Sequence, residues 1–144
     1  MKQLKITILL IAMSMLLCAC PDKTEGYRYI TFVNKSDRGI VCQRVWSGAI
    51  TNTDTLFFCG MGVVGIIADS QHNFECPIRD NGWEDSFNII PFLQFLVMDA
   101  ESYDRYIEAP CDTIRKYVPI LHRYQLTLED LKRMNWTVVF PPEE

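Results

Sequence analysis

Phe92-Leu93-Gln94-Phe95-Leu96-Val97-Met98, bounded by Pro91 and Asp99, is the most apolar stretch downstream of the first twenty residues. Seven residues suit a strand, whereas a buried helix of comparable hydrophobicity would need ten or more. The stretch reads as a central buried strand, and the rest of the fold is arranged around it. Downstream, residues 101–107 and 112–117 read as short helical turns, the second begun by Asp112 as N-cap with Pro110 just before it. Residues 121–126 return to strand. Thr127-Leu128-Glu129-Asp130-Leu131-Lys132-Arg133-Met134-Asn135 is the clearest helix. Thr127 can cap its free N–H groups, the acids stand at its positive end and the bases at its negative end. Leu128, Leu131 and Met134 give it one apolar stripe. Residues 136–140 read as a closing strand, stopped by Pro141-Pro142.

Upstream, Tyr27-Arg28-Tyr29-Ile30-Thr31-Phe32-Val33 is aromatic and β-branched and ends in the turn residues Asn34 to Gly39. Residues 40–46 form a second strand, with Ser47-Gly48 starting the next turn, and residues 54–59 a third. Gly60, Gly62 and Gly65 interrupt an apolar run and predict a bulge or loop in place of a helix. Residues 72–86 are mixed and polar, with Asp80-Asn81-Gly82 as a turn before Trp83. The sum is a mainly β (α+β) chain, a β-sandwich-like domain with a few short C-terminal helices, occupying residues 27–142.

The first nineteen residues have a different character. Lys2 and Lys5 precede an uncharged apolar stretch of roughly a dozen residues, the pattern of an export signal and too short for a bilayer-spanning helix. The stretch ends in Leu17-Cys18-Ala19-Cys20, which resembles the lipobox of bacterial lipoproteins. On that match residues 1–19 are removed and Cys20, whose thiolate is the nucleophile that accepts the lipid, carries the acyl chains that hold the protein to a membrane. Residues 20–26 are then a short lipidated tether. Loss of Lys2 and Lys5 takes the formal net charge from −4 to −6. An acidic chain without a basic stripe makes nucleic acid a poor partner.

Cysteine use fits an oxidising compartment. With Cys18 removed and Cys20 acylated, Cys42, Cys59, Cys76 and Cys111 remain, enough for two disulfides in any of three connectivities. Cys42 and Cys59 lie symmetrically about Ile50-Thr51, as a hairpin pair would, which leaves Cys76 to Cys111. The alternative is four reduced, buried thiols. No two of the four are closely spaced, so a zinc site is not implied and no metal is expected.

No catalytic constellation emerges. Gly60, Gly62 and Gly65 spell the dinucleotide-binding spacing, but no βαβ unit follows to receive a pyrophosphate, and no cofactor is implied. His72 and His122 lie about fifty residues apart in no ligand or triad pattern. Glu84-Asp85 and Glu129-Asp130 are adjacent, so their members point different ways. Asp99 is the best candidate for a buried carboxylate, with a first turn residue as its plainer reading. Binding has better material in Trp46, Trp83, Trp136, Tyr27, Tyr29, Tyr103 and Tyr106, which serve either a core or an aromatic platform. Trp83, beside a turn, is the tryptophan most easily exposed.

Tyr29-Ile30-Thr31-Phe32-Val33-Asn34-Lys35-Ser36, Cys111-Asp112-Thr113-Ile114-Arg115 and the C-terminal signature RYxLTLEDLxxxNW, from Arg123 to Trp136, are similar to a group of small lipoproteins from Bacteroidales. The resemblance covers nearly the whole mature chain, and its C-terminal part is the most specific. It implies a home in the envelope of a gut-type anaerobe and transfers no activity, cofactor or catalytic residue. It further implies outer-membrane placement, with Asp22 and Glu25 interrupted by Lys23, so that the periplasmic face and the cell surface both stay open. O-glycosylation in such bacteria falls on Asp, then Ser or Thr, then an apolar residue, which Thr55 and Thr113 satisfy. The functional expectation is a membrane-anchored, non-catalytic binding or scaffolding domain with a protein or glycan partner. The alternative is an enzyme, or an enzyme's accessory domain, acting on envelope polymers.

Overall fold

The structure is a computed structural model, and it describes residues 26–46, 62–77 and 82–142. In chain order its strands are β1 (Tyr29–Asn34), β2 (Ile40–Trp46), β3 (Val63–Ile66), β4 (Ser70–Glu75), β5 (Leu93–Asp99), β6 (Ile120–Leu126) and β7 (Thr137–Phe140). The helices are α1 (Trp83–Ser86), α2 (Ala100–Tyr106), α3 (Cys111–Tyr117) and α4 (Leu128–Arg133). The strands form two sheets, one ordered β4-β1-β7 and the other β3-β2-β5-β6. The chain is mainly β and sandwich-like, as its patterning predicts.

The apolar run from Phe92 to Met98 becomes β5, buried from Leu93 to Met98. It is an interior strand, paired antiparallel with both β2 and β6. Its almost continuous hydrophobicity, interrupted only by the buried Gln94, follows from its having two covered faces. Leu93, Phe95 and Val97 point between the sheets, where they meet Ile40 and Cys42 of β2, Ile30 and Phe32 of β1, Phe74 of β4, and Val138 and Phe140 of β7. Leu96 and Met98 point the other way, against Tyr103 of α2 and Ile114 of α3. Helices α2 and α3 thus cover the back of the four-stranded sheet, and the second sheet covers its front.

Two polar residues tie the layers. Asn34, wholly buried at the end of β1, donates through Nδ2 to the carbonyl oxygens of Arg38 (2.8 Å), Ile66 (3.2 Å) and Ile67 (3.0 Å). Its Oδ1 accepts from Ser36 N (3.0 Å) and Ser36 Oγ (2.6 Å). The Tyr124 hydroxyl of β6 donates to Val139 O of β7, and burial raises its pKa well above the ordinary tyrosine value.

Most predicted boundaries hold to within a residue or two, and several details are corrected. Strand β4 runs from Ser70 into the segment from residue 72 read as mixed and polar. It pairs with β1 across the register Tyr29↔Glu75 to Asn34↔Ser70. Helix α3 starts at Cys111 behind Pro110, without a side-chain cap, so Asp112 is an exposed first-turn residue and not the N-cap. Strand β7 starts at Thr137 and not at Trp136, because Asn135 and Trp136 take left-handed backbone (φ 49° and 58°) that closes α4, with Trp136 N donating to Leu131 O at 2.8 Å. The expected cap of α4 is present as a full capping box between Thr127 and Asp130.

The cysteine pairing is also corrected. Cys42 and Cys76 are free and buried, so neither the bridge from Cys42 to Cys59 nor that from Cys76 to Cys111 forms. The hairpin symmetry that suggested the first is not the real register, since Cys42 faces Val64 across β2 and β3 and Val97 across β2 and β5. Its side chain is part of the inter-sheet core. Cys76 follows β4 in the other sheet, with Sγ 3.4 Å from Ser86 Oγ. Cys59, like the strand expected at residues 54–59 and the signal and tether up to residue 25, lies outside the described residues.

Candidate functional site

The covered faces of the two sheets leave one broad surface of the described residues, the outer face of β4-β1-β7. Side chains alternate along a strand. In β1 the buried set is Ile30, Phe32 and Asn34, which turns Tyr29, Thr31 and Val33 outward. In β4 Phe74 points inward and Gln71, Asn73 and Glu75 outward; in β7 Val138 and Phe140 point inward and Thr137 and Val139 outward. Register aligns these residues in rows: Tyr29 beside Glu75, Thr31 between Asn73 and Thr137, and Val33 between Gln71 and Val139.

The rows have a definite chemistry. Thr31 Oγ1 donates to Asn73 Oδ1 at 3.0 Å, which fixes the amide and leaves its N–H donors uncommitted among the described residues. Gln71 adds an amide that both donates and accepts, and the Thr137 hydroxyl, which donates to Asn135 O at 3.3 Å, adds an acceptor. Tyr29, about half exposed, supplies an aromatic ring at one end. Next to it Tyr27 stacks on the buried Trp136, centroids 4.7 Å apart and planes 17° from parallel. Charge is confined to the same end, where Arg28 and Glu75 approach to 3.8 Å, both well exposed. A sheet face of amides and hydroxyls, with Val33 and Val139 in one row and a ring at its edge, can bind a polar, uncharged surface. It carries no nucleophile paired with a base.

The residues singled out from sequence are dispersed. His72 is on β4 with its ring 4.8 Å from Phe74, and His122 is on β6 with its ring 4.4 Å from Tyr124, so they belong to different sheets. Asp99 is the N-cap of α2, accepting from Ser102 N at 2.8 Å, and this bond holds its carboxyl below the usual range. It borders an open hollow of about 420 Å³ with Asp37, Arg38, Gly39, Ala100 and Glu101. It is therefore neither a buried carboxylate nor a turn residue but the last residue of β5 and the cap of α2. Among the described residues no three His, Cys, Asp or Glu side chains are placed to hold a metal, and no helix is long and apolar enough to cross a membrane. Gly65 lies in β3 opposite Val41, and the chain then turns into β4 of the other sheet, so no helix N-terminus follows the glycine spacing.

The aromatic residues divide unexpectedly. Trp83, expected to be the exposed tryptophan, is fully buried. Its backbone N–H donates to Tyr27 O at 2.8 Å, and the Arg44 guanidinium lies 5.4 Å from its ring and 5.8 Å from that of Phe74. Burial lowers the Arg44 pKa, and the cation is retained there by the two ring faces and by donation to Glu75 O at 2.8 Å. Tyr103 is core, and Tyr106 stacks on the exposed Tyr117 at 5.3 Å. Sequence reasoning missed Thr31, Gln71, Asn73 and Thr137 altogether. The signal was there in the alternation Gln71, Asn73, Glu75 around His72 and Phe74, but it has too few apolar residues to announce a strand. Thr113 lies half-buried in the first turn of α3, and Thr55 and Cys20 lie outside the described residues. The chain matches no protein-family profile, no curated protein and no solved structure.

Proposed function

We propose that this protein is an envelope lipoprotein, tied to the outer membrane through Cys20, whose domain binds glycan without catalysis on the outer face of the three-stranded sheet. The observation that supports this reading most is the composition of that face. Thr31, Asn73, Gln71 and Thr137 offer alternating donors and acceptors in fixed rows, and Tyr29 offers a ring for stacking on a sugar. Such groups are solvated in the free protein and can exchange water for sugar hydroxyls at low net cost. The similarity to small Bacteroidales lipoproteins, carried by the C-terminal signature, supports the same compartment.

The test is retention on gels cast with envelope and dietary polysaccharides, followed by calorimetry on whatever retains the protein. Tyr29→Ala and Asn73→Ala should each weaken binding about tenfold or more, the loss of one stacking or bidentate contact of about 1.4 kcal/mol. Both positions are on the surface, so the urea midpoint should stay near that of the parent protein. Absence of retention on every polysaccharide, or unchanged affinity in both variants, overturns the assignment. Protease shaving of intact cells decides which side of the outer membrane supplies the ligand.

A further inference from the structure

The end of the sandwich where the chain enters is built differently from the other end. Gly26 is wedged against Gly82, so that a Cβ on Gly26 would lie 2.8 Å from Gly82 Cα. Tyr27 N donates to Glu84 Oε2 at 2.9 Å, and Trp83 N donates back to Tyr27 O at 2.8 Å. The entry point is therefore held to α1 by these two hydrogen bonds. One turn past α1, Ile89 donates its N–H to Ser86 O and leaves its side chain 77% exposed; Tyr27 is 51% exposed. These are apolar and amphipathic groups at the very place where the tether joins.

We infer that this end, made by Tyr27, the α1 turn and Ile89, rests in the headgroup layer of the membrane that holds Cys20. The inference depends on the reading of Cys20 as the lipidated residue. Residues 21–25 are all that separates it from Gly26, a reach of about 20 Å fully extended and about 13 Å as a flexible coil. A tether so short keeps the entry end at high effective concentration beside the bilayer, so a contact too weak to act alone becomes occupied. Charge does not supply the attraction. Glu84 is engaged with Tyr27 N, Arg28 is near Glu75, and Asp85 is exposed, so the described residues of this end carry no positive excess for anionic lipid. The contact is apolar and should survive added salt.

The orientation has a consequence for binding. Strand β1 starts at this end with Tyr29 and runs about 17 Å to Asn34, whose amide holds Ile67 O. The turn at residues 35–39 and Ile67, 74% exposed, therefore stand away from the bilayer. The rows of the open face climb from the Tyr29 row near the lipid to the Val33 row farthest from it.

The experiment uses the full lipidated protein in phosphatidylethanolamine and phosphatidylglycerol vesicles whose acyl chains are brominated near the headgroup. Ile89→Trp and Ile67→Trp are made separately at these two exposed positions, and quenching is counted beyond that of the parent protein. The expected result is loss of most of the emission added by I89W, little loss for I67W, and no change on raising salt. Flotation with the vesicles and equal or absent quenching at the two positions overturns the docking alone. Failure to float, with a mass lacking acyl chains, overturns the Cys20 reading and the docking with it.

Discussion

Replacing Asn34 by Asp exchanges an amide for a carboxyl of the same shape, and the surroundings of Asn34 make the outcome calculable. The Nδ2 group holds three carbonyl oxygens, those of Arg38, Ile66 and Ile67, with only two hydrogens to share among them. An ionised carboxylate there has no hydrogen to offer and adds charge at a position with no solvent exposure. An unpaired buried charge costs about 3–5 kcal/mol. That is a large part of the roughly 5–15 kcal/mol by which a domain is stable. The cost raises the folded-state pKa of the new carboxyl, because the protonated form donates one hydrogen and carries no charge.

The sign of the pH dependence follows. The folded variant binds a proton that the unfolded chain has released, so the penalty is full above the raised folded pKa. It shrinks as pH falls and is gone as a charge effect below the unfolded value of about 3.9. What then remains is about one lost hydrogen bond, roughly 1 kcal/mol. Urea unfolding followed by fluorescence should show Asn34→Asp about 4 kcal/mol below the parent at pH 7, a midpoint shift of roughly 2 M. The gap should narrow by about 3 kcal/mol when both proteins are measured near pH 3.5. Asn34→Ala removes the same bonds without adding a charge, and its deficit of about 2–4 kcal/mol should not vary with pH. A gap for the aspartate variant below 1 kcal/mol at pH 7, or one that does not change with pH, would refute the account of this residue as the pin between the sheets.

Three further outcomes can be checked on the same protein. Gly82→Ala would drive a Cβ into the Gly26 backbone and should destabilise by about 1–3 kcal/mol, the range for overpacking, read as a lower urea midpoint. Cys42 and Cys76 should not react with a thiol reagent in the native protein and should both react once it is unfolded, since burial pushes the Cys42 thiol far above its ordinary pKa; prompt native reaction would contradict their core placement. Thr127→Ala should cost about 1 kcal/mol by removing the cap of α4. In the parent protein the hydrogen bonds of Thr127 hold the Asp130 carboxyl below its usual range, so this support is present above the unfolded pKa and is lost as pH falls through the lowered one. Asp130→Asn should remove that part of the acid sensitivity.

Local signals in the chain were enough for some elements. The mostly apolar run of β5, the β-branched and aromatic strands β1 and β2, and the cap and charge order of α4 are properties of a few consecutive residues, and each element forms where that pattern places it. The sandwich-like class follows from adding them. Tertiary structure decided what depends on partners far away in sequence. Strand β4 has one large apolar residue facing the core, and it exists because its backbone groups complete a ladder with β1 some forty residues earlier. Trp83 is buried because two glycines, 26 and 82, let the backbones approach, and Asn34 is a pin and not a turn residue because β3 brings two carbonyls to it. The candidate binding face is the extreme case. Its outward residues, Val33 and Val139 apart, are polar, so in β4 they leave no hydrophobic period to detect, and only the register of three strands sets Thr31, Asn73 and Thr137 in one row.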